Sequence, residues 1–554
     1  MKTVYDVVVV GSGASGAMAA QTLVEGGRSV LMLDGGRRDE RYAALVPDES
    51  FVRIRQTDPS QFRYFLGDRF ESLASAASKT GAQLTPPRRF LVRDVDRYLK
   101  VRSTRFSPLE SLAAGGLASG WGLGCAVFSP EELRSASLPI AAMQDAYQVV
   151  ASRIGVSGAD DDARPYTSAH VKGMQPALPI DRTAHTLLRN YERKREAVRA
   201  RGFRVGRPAL ALLSEPKDGR RASLMHDMEF YCDHGGSAWR AWMAIDALRR
   251  HENFSYRDAT LVVQFEERDA IVRVVTLNLQ TDERSEVWCR RLVLAAGALG
   301  TARIVLRSQG GPGARLPLLS NPYTYLPCIV PSRLGRAMPE RNIALSQLAL
   351  FHDPDGTHSD VAMGFVYSYR SLMMFRLLGD VPLSIREAPS FLRYLMSAFL
   401  IVGVHHPHAN DGGSYISLEP DEGTPTGDRL FIEYRLTPEE RSKVDRRDRA
   451  FASCLRTLGA VPVRRVLPGY GASIHYAGTV PCSGTEAPMT TAPDGRLHAQ
   501  RVHVVRGIAL KTEDLSVDQW IQGLAGHLTS LAETSSHARE ALERARQRMA
   551  ETRD

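Results

Sequence analysis

Six cysteines in 554 residues, none in a C-x-x-C pair, leave the chain without what zinc sites or a disulfide framework require. Cys125, Cys232, Cys289, Cys328, Cys454 and Cys482 stand singly, which fits a reducing, cytoplasmic compartment. Long apolar runs are also missing. The longest mostly apolar one, Leu395 to Val404, is too short to span a bilayer, so stable membrane insertion is not expected. The formal net charge is +9, mostly arginine, yet no block of like charges reads as a nucleic-acid arm. No internal repeat or low-complexity segment appears. Residue 4 already belongs to an apolar strand, so no signal peptide is expected ahead of it. The length allows two or three domains, or one large composite domain with an ample core.

What is present begins with Tyr5 to Asp34. Val7 to Val10 reads as a strand buried on both faces. Gly11, Gly13 and Gly16 follow in G-x-G-x-x-G spacing, and a helix pattern runs from Ala14 to Glu25 until Gly26 and Gly27 stop it. A second strand, Ser29 to Leu33, ends in Asp34. In this βαβ context the motif is a dinucleotide fingerprint. Gly11 allows the tight turn, Gly13 lets backbone approach a pyrophosphate, and Gly16 permits close helix–strand packing. The pyrophosphate would rest on the first N–H groups of the helix, at Ala14, Ser15 and Gly16. Asp34, with Gly35 beside it, is placed to accept hydrogen bonds from an adenosine ribose. The competing reading is a glycine turn that only packs.

Downstream, Arg88, Arg89 and Arg93 offer either a phosphate contact or, more simply, a solvated face. Ala114 to Phe128 gathers many small residues around Trp121, poor material for helix or strand. Such a loop lets backbone press close to a flat ligand. Helices are expected over Ala141 to Ile154, Ala184 to Arg201, Ala238 to Arg250 and Thr437 to Leu458. Phe254 to Phe265, carrying Val262 and Val263, reads as one strand; Ile271 to Leu279 and Ser285 to Cys289 read as further strands of a hairpin ribbon. The buried strand Leu292 to Ala295 then runs through Ala296, Gly297 and Thr301 into a helix. The region from 310 to 465 supplies mixed strands, as in an antiparallel sheet walling a substrate cavity. His405, His406 and His408 look like metal ligands. Neighbours on a strand point to opposite faces, however, so His405 and His406 cannot easily share one ion, and no metal is expected. The apolar stretches at 372–404 could brush a membrane transiently, or be ordinary core or lid.

These stretches together resemble the glucose–methanol–choline (GMC) oxidoreductases. Gly115-Gly116, Ser119 and Trp121-Gly122 are similar to that family's flavin-facing loop in the GG-x-x-x-x-W-G form of some bacterial members. Residues 292–301 are similar to its vvlaaGaxxTpxlL motif over the FAD adenine and pyrophosphate. His475, Gly478 and Thr479 match its H-x-x-G-T segment, which places a histidine at the flavin. Its vyvvDaSxxP segment is here VHVVRGIAL, with Arg506 where the acid is expected. His527, in LAGHLT, falls where the family often carries Asn or His.

The resemblance implies an α/β protein: an FAD-binding Rossmann-like βαβ domain with an α+β substrate domain built on a large, mostly antiparallel sheet. The expected order is FAD-binding 1–160, substrate 161–235, FAD-binding 236–310, substrate 311–465, FAD-binding 466–538 with the histidine segment, and a helical tail at 539–554. It implies hydride transfer from an alcohol carbon of a small molecule to FAD, with His475 and His527 as catalytic imidazoles. Gly11, Gly13, Ala14, Ser15, Gly16, Asp34, Gly35, Gly115, Gly116, Ser119, Trp121, Gly122, Val262, Val263, Ala296, Gly297, Thr301 and Arg506 are the expected cofactor contacts. The flavin should be noncovalent, because Gly115 to Cys125 holds no histidine. The substrate should be largely apolar, since residues 372–404 are rich in Leu, Met and Phe. A redox-neutral isomerase, cyclase or lyase on the same scaffold is the alternative, as is a flavin-binding partner module without turnover.

Overall fold

The valines at 7–10 do form the central strand. In a computed structural model, which describes residues 3–71, 84–136, 138–337, 339–368, 394–408, 413–482, 487–492, 494–497 and 501–505, the strand Val4–Val10 lies between two parallel neighbours. Val30–Leu33 pairs on one side and the second half of Arg284–Leu294 on the other. Both faces are covered, which is why the run is apolar without alternation. Phe254–Arg257 extends the parallel sheet beyond Val30–Leu33, and Val502–Val504 extends it beyond Arg284–Leu294. An antiparallel ribbon, Thr260–Arg268 and Ile271–Asn278, continues from the first half of Arg284–Leu294.

Three expectations are corrected. Phe254 to Phe265 is two strands, divided at Asp258 and Ala259, where Ala259 takes a left-handed φ of 44°. The first belongs to the parallel sheet and the second turns away into the ribbon, a corner that alternation alone does not mark. Conversely, Ser285 to Cys289 and Leu292 to Ala295 are one strand that changes partner midway. The helix expected over Ala184 to Arg201 breaks at Lys194 into Arg182–Arg193 and Arg195–Arg199. The second piece turns Arg195 and Arg199 onto the buried carboxylate of Asp162, which also accepts from Tyr191. These partners hold Asp162 well below the usual carboxylate range, outweighing its desolvation.

A second sheet has six strands, all antiparallel: Val461–Pro462, Tyr323–Ile329, Phe399–His405, Ala362–Tyr367, Leu348–His352 and Phe203–Gly206. One face is aliphatic and packs on the helices Arg182–Arg193 and Pro438–Thr457, through Leu187, Tyr191, Phe451 and Leu455. The longer helix starts with a reciprocal capping box between Thr437 and Glu440. The other face is aromatic: Tyr323, Tyr325, Phe351, Phe365, Tyr367 and Phe399. The two-residue period puts His405 on this aromatic side with Phe399 and Ile401. The chain is thus mixed α/β, with a parallel sheet and a separate antiparallel one. No described helix is long and apolar enough to cross a membrane.

Candidate active site

The parallel sheet changes direction of build at Val4–Val10. The chain goes to Val30–Leu33 on one side and returns to Arg284–Leu294 on the other, so the strand ends at Gly11 and Ala295 border a switch-point crevice. The backbone there is as close as glycine permits. A Cβ on Gly11 (φ 93°) would sit 2.6 Å from the Ala295 carbonyl oxygen, and one on Gly16 would sit 1.9 Å from that of Gly11. The opposite side of the turn is open. A Cβ on Gly13 would meet nothing nearer than Gly115 O at 4.0 Å, and one on Gly297 nothing within 4 Å. Helices Ala14–Glu25 and Gly297–Gln309 both begin without a side-chain cap and without an acid in the first turn. Two uncapped N-termini beside an open glycine turn suit a pyrophosphate, so the crevice fits a dinucleotide such as FAD.

Asp34 is held by three protein donors. Its carboxylate accepts from the N–H of Ser12 (3.0 Å), the N–H of Gly36 (3.0 Å) and the Tyr256 hydroxyl (2.8 Å). Burial raises its pKa, and these bonds pull the other way. Tyr256 carries no local sequence signal; the unforeseen parallel pairing of Phe254–Arg257 with Val30–Leu33 brings it here. Gly35 touches Leu112, where a Cβ would come within 2.5 Å of the Leu112 oxygen.

The 114–122 loop lies directly on the glycine turn. Ser12 Oγ accepts the Gly115 N–H at 2.7 Å, and a Cβ on Gly116 would sit 3.3 Å from Gly13 Cα. Ser119 donates back to Ala114 O at 2.5 Å. Trp121 is core rather than ligand surface: its Nε1 donates to Trp239 O at 2.9 Å and its ring meets Trp239 edge-on. Gly122 is buried beside it. Arg240 braces the loop, donating to Trp121 O (2.8 Å) and Glu229 O (2.9 Å). Val262 and Val263 are buried in protein, Val263 among Tyr98, Leu99, Leu112 and Leu277. Thr301 and Ala296 lie at the start of Gly297–Gln309, Thr301 buried. Arg88 corrects the solvated-face reading. It is buried, donates to Gly120 O and lies over the Phe230 ring at 4.8 Å. Arg89 bonds Glu71 O, and only Arg93, paired with Glu40, is a surface cation.

The H-x-x-G-T segment is stitched to this crevice at both ends. Thr479 Oγ1 donates to Ala298 O at 3.1 Å, inside the first turn of Gly297–Gln309. The Tyr476 hydroxyl accepts the Leu109 N–H at 2.9 Å, just ahead of the glycine loop. Tyr476–Ala477 pairs with Leu319–Ser320, and the left-handed Gly478 is packed against Leu319. These ties deliver His475, half-buried, to the end of the aromatic sheet face. Its ring stacks on that of His405, with centroids 5.0 Å apart and planes 30° apart. The residue before it, Ile474, has φ 61°, a strained conformation for a β-branched side chain.

The histidine run at 405–408 divides as strand geometry requires. His405 faces His475 and bonds Asn321, whereas His406 turns to Asp448 at 3.1 Å and Thr324 at 3.2 Å. His408 Nε2 lies 3.5 Å from Glu440. No cluster of three or more His, Cys, Asp or Glu suited to a metal occurs among the described residues. His527 and Arg506 lie outside the described residues, as do 372–378, 391–393 and the C-terminal helix. Sequence reasoning did not bring Asn321 and His405 beside His475; the H-H-P-H run was the available signal, weighed only for a metal and set aside.

No family model matches the chain. Two curated proteins do. One is the paromamine 6'-oxidase of Streptomyces fradiae, 25% identical over 91% of this chain and 86% of its own length. The other is the 6'''-hydroxyparomomycin C oxidase of Streptomyces lividus, 24% identical with the same coverage. These relatives point to the GMC oxidoreductase family. They support an oxidoreductase, and the family they point to generally uses FAD, a group that the open sides of Gly13 and Gly297 suit. A solved structure of a fungal aryl-alcohol oxidase aligns over 95% of this chain and 98% of its own, with TM-score 0.49 and 13% identity.

Proposed function

We propose that the chain oxidises an alcohol carbon of a small, largely apolar molecule, with His475 taking the hydroxyl proton. Bound FAD would supply the hydride acceptor. The observation that carries the reading is the seat of His475, tied through Thr479 to the helix start at the crevice and stacked at the end of an aromatic sheet face. An imidazole, titrating near pH 6.5 when unperturbed, suits a proton acceptor at neutral pH. The hydroxyl proton must leave as the hydride goes, or the developing charge stays unstabilised. Gly11, Gly13, Gly16 and the N–H groups of Ala14 and Ser15 would hold the pyrophosphate, and Gly297 would close over it. Gly115, Gly116 and Ser119 would border the flavin.

Attachment is noncovalent in this reading. The flavin-facing loop has no histidine, and burial pushes the Cys125 thiol up to about 12, far from a reactive thiolate. The aromatic face favours a substrate with an extended C–H surface. The relatives' names give paromamine and 6'''-hydroxyparomomycin C as their substrates. The purified protein should be yellow, and acid precipitation should release all the colour. Under anaerobic conditions it should be mixed with 1-octanol, benzyl alcohol, paromamine and glucose in turn. Bleaching by an alcohol is the expected result. A flavin that no alcohol bleaches would favour redox-neutral chemistry or, if only dithionite bleaches it, a flavin-binding module without turnover, and preference for paromamine or glucose would overturn the apolar substrate.

A further inference from the structure

We propose that Ser12 is a positioning residue that ties the ribose end of the dinucleotide crevice to the flavin-facing loop, so that a seated adenosine sets the loop for the flavin. The inference rests on the cofactor half of the function just proposed, with Asp34 at the ribose and Gly115 at the flavin. Ser12 is the unspecified residue between Gly11 and Gly13, and the fingerprint gives it no task. It is fully buried. Its N–H donates to Asp34 Oδ1 at 3.0 Å, and its Oγ accepts the Gly115 N–H at 2.7 Å. One side chain and its own amide thus join the end of the second parallel strand to a loop far along the sequence.

The Ser12 oxygen accepts at Gly115, so its proton is left to donate, and the Asp34 carboxylate gains from that hydroxyl as well as from the N–H. A hydroxyl that donates toward a carboxylate becomes the better acceptor at its own oxygen. The bond to Gly115 is therefore strongest when Asp34 is charged and held in place. Gly36 and Tyr256 fix the other carboxylate oxygen. At the far end, Gly115 has little freedom of its own. Its φ is 82°, and a Cβ there would lie 2.2 Å from Ser119 Oγ and 2.8 Å from the Trp242 nitrogen. Ser119 donates back to Ala114 O, so a shift at Gly115 is felt across 114–119. The neighbouring tie, from the Ala114 N–H to Arg37 O at 2.8 Å, is backbone to backbone and does not depend on Ser12. It keeps the loop on the crevice, while Ser12 sets its register against the glycine turn.

The bland competitor is a serine that only fills its turn. ADP and FAD separate the two, because ADP carries the ribose and pyrophosphate without the flavin. Full-length wild type and Ser12→Ala, both stripped of FAD, would be titrated with each ligand by calorimetry. Ser12→Ala keeps the N–H to Asp34 and loses the bond to Gly115. FAD should bind about 10-fold more weakly, ADP should lose much less, and the ligand-free melting temperature should hold. Equal losses for the two ligands overturn the proposal, as does an unchanged FAD affinity or a wild type that holds FAD no tighter than ADP. If Ser12→Ala does not fold, hydrogen exchange in the wild-type peptide containing Gly115 decides. ADP should slow that exchange more than inorganic pyrophosphate does, since only ADP brings a ribose to Asp34. Equal protection by the two overturns the proposal. FAD that binds tightly but is reduced by no alcohol is a different result: it defeats the proposed oxidation, while the ADP and FAD affinities still decide the role of Ser12.

Discussion

The dinucleotide crevice and the histidine site are built on opposite economies. The crevice works by missing side chains: Gly11, Gly13, Gly16, Gly115, Gly116 and Gly297 let backbone approach backbone and leave one side open. The histidine site works by side chains carried in from far apart in sequence, Asn321, His405 and His475, and joined by strand pairing. The first is fixed locally within a βαβ unit. The second exists only after the antiparallel sheet and the Tyr476–Ala477 bridge have formed. Faults in the crevice should therefore cost folding or cofactor, and faults at the histidines should cost chemistry.

Gly16 and Gly13 sharpen that contrast within one turn and should give the largest effects. A Cβ at Gly16 would lie 1.9 Å from a backbone oxygen, with no flexible atom to move aside. Gly16→Val should fail to yield soluble folded protein. Gly13 has φ −57° and open space, so Gly13→Val should fold with a near-normal circular dichroism spectrum. Its branched side chain would occupy the place of the pyrophosphate, and the protein should purify colourless. A yellow Gly13→Val protein would sink the fingerprint.

His475→Ala tests the other half. The crevice contacts are untouched, so FAD content should stay near wild type. Loss of a general base costs on the order of 10²–10⁴-fold in rate. The loss should appear in anaerobic flavin reduction and be partly rescued at high pH, where the alcohol ionises unaided. Reduction at the wild-type rate would move the base elsewhere.

This division also explains what could be read beforehand. The fingerprint, the strand at 292–294 and the H-x-x-G-T segment are contiguous, so their residue types and spacing carry the meaning. The apolar run of Val7 to Val10 shows burial on both faces without any knowledge of its partners. Tyr256, Asn321 and Arg240 have no such signature; each matters through a partner more than eighty positions away. Trp121 was legible as special, but its indole serves the core against Trp239. Arg88 looked like surface because charge alone does not reveal a buried carbonyl and a ring waiting for it.

Glu229 offers a smaller and pH-dependent way to loosen the crevice side. It sits behind the Arg240 brace and accepts the Ala344 N–H at 3.0 Å. Burial, helped by the nearby Asp227 carboxylate, pushes its pKa from the ordinary 4.5 up to about 8. Below about pH 4 both folded and unfolded chains keep the proton, and no stability is lost. As pH rises toward 8 only the unfolded chain gives it up, so the folded state is progressively disfavoured, and the loss is complete above 8. Glu229→Gln keeps an acceptor for Ala344 without the charge. It should match wild type near pH 4 and exceed it near pH 8 by on the order of a few kcal/mol. Thermal melts of both proteins across that range check it, and a constant difference would mean that Glu229 ionises normally.

Ile474 should give the smallest effect, and the most direct probe of how His475 is aimed. Its left-handed φ of 61° forces a β-branched side chain into a conformation that costs about 1–2 kcal/mol for an L-residue. The side chain also packs against the cluster of Leu84, Leu91, Leu109 and Ala113, so its simple removal would mix two losses. Ile474→Ala and Ile474→Gly cancel the packing term, because both delete nearly the same contacts. At an ordinary position Ala is the more stable of the two by roughly 0.5–1 kcal/mol. Here the order should reverse, Gly being ahead by about 1 kcal/mol, since only Gly adopts this φ without strain. Urea midpoints of the two variants measure it. The rate should run the other way: a freed backbone lets His475 wander from His405, so the more stable Gly variant should reduce its flavin more slowly than Ala. Gly less stable than Ala would show that no strain is stored at Ile474, and equal rates would show that its backbone does not aim the imidazole.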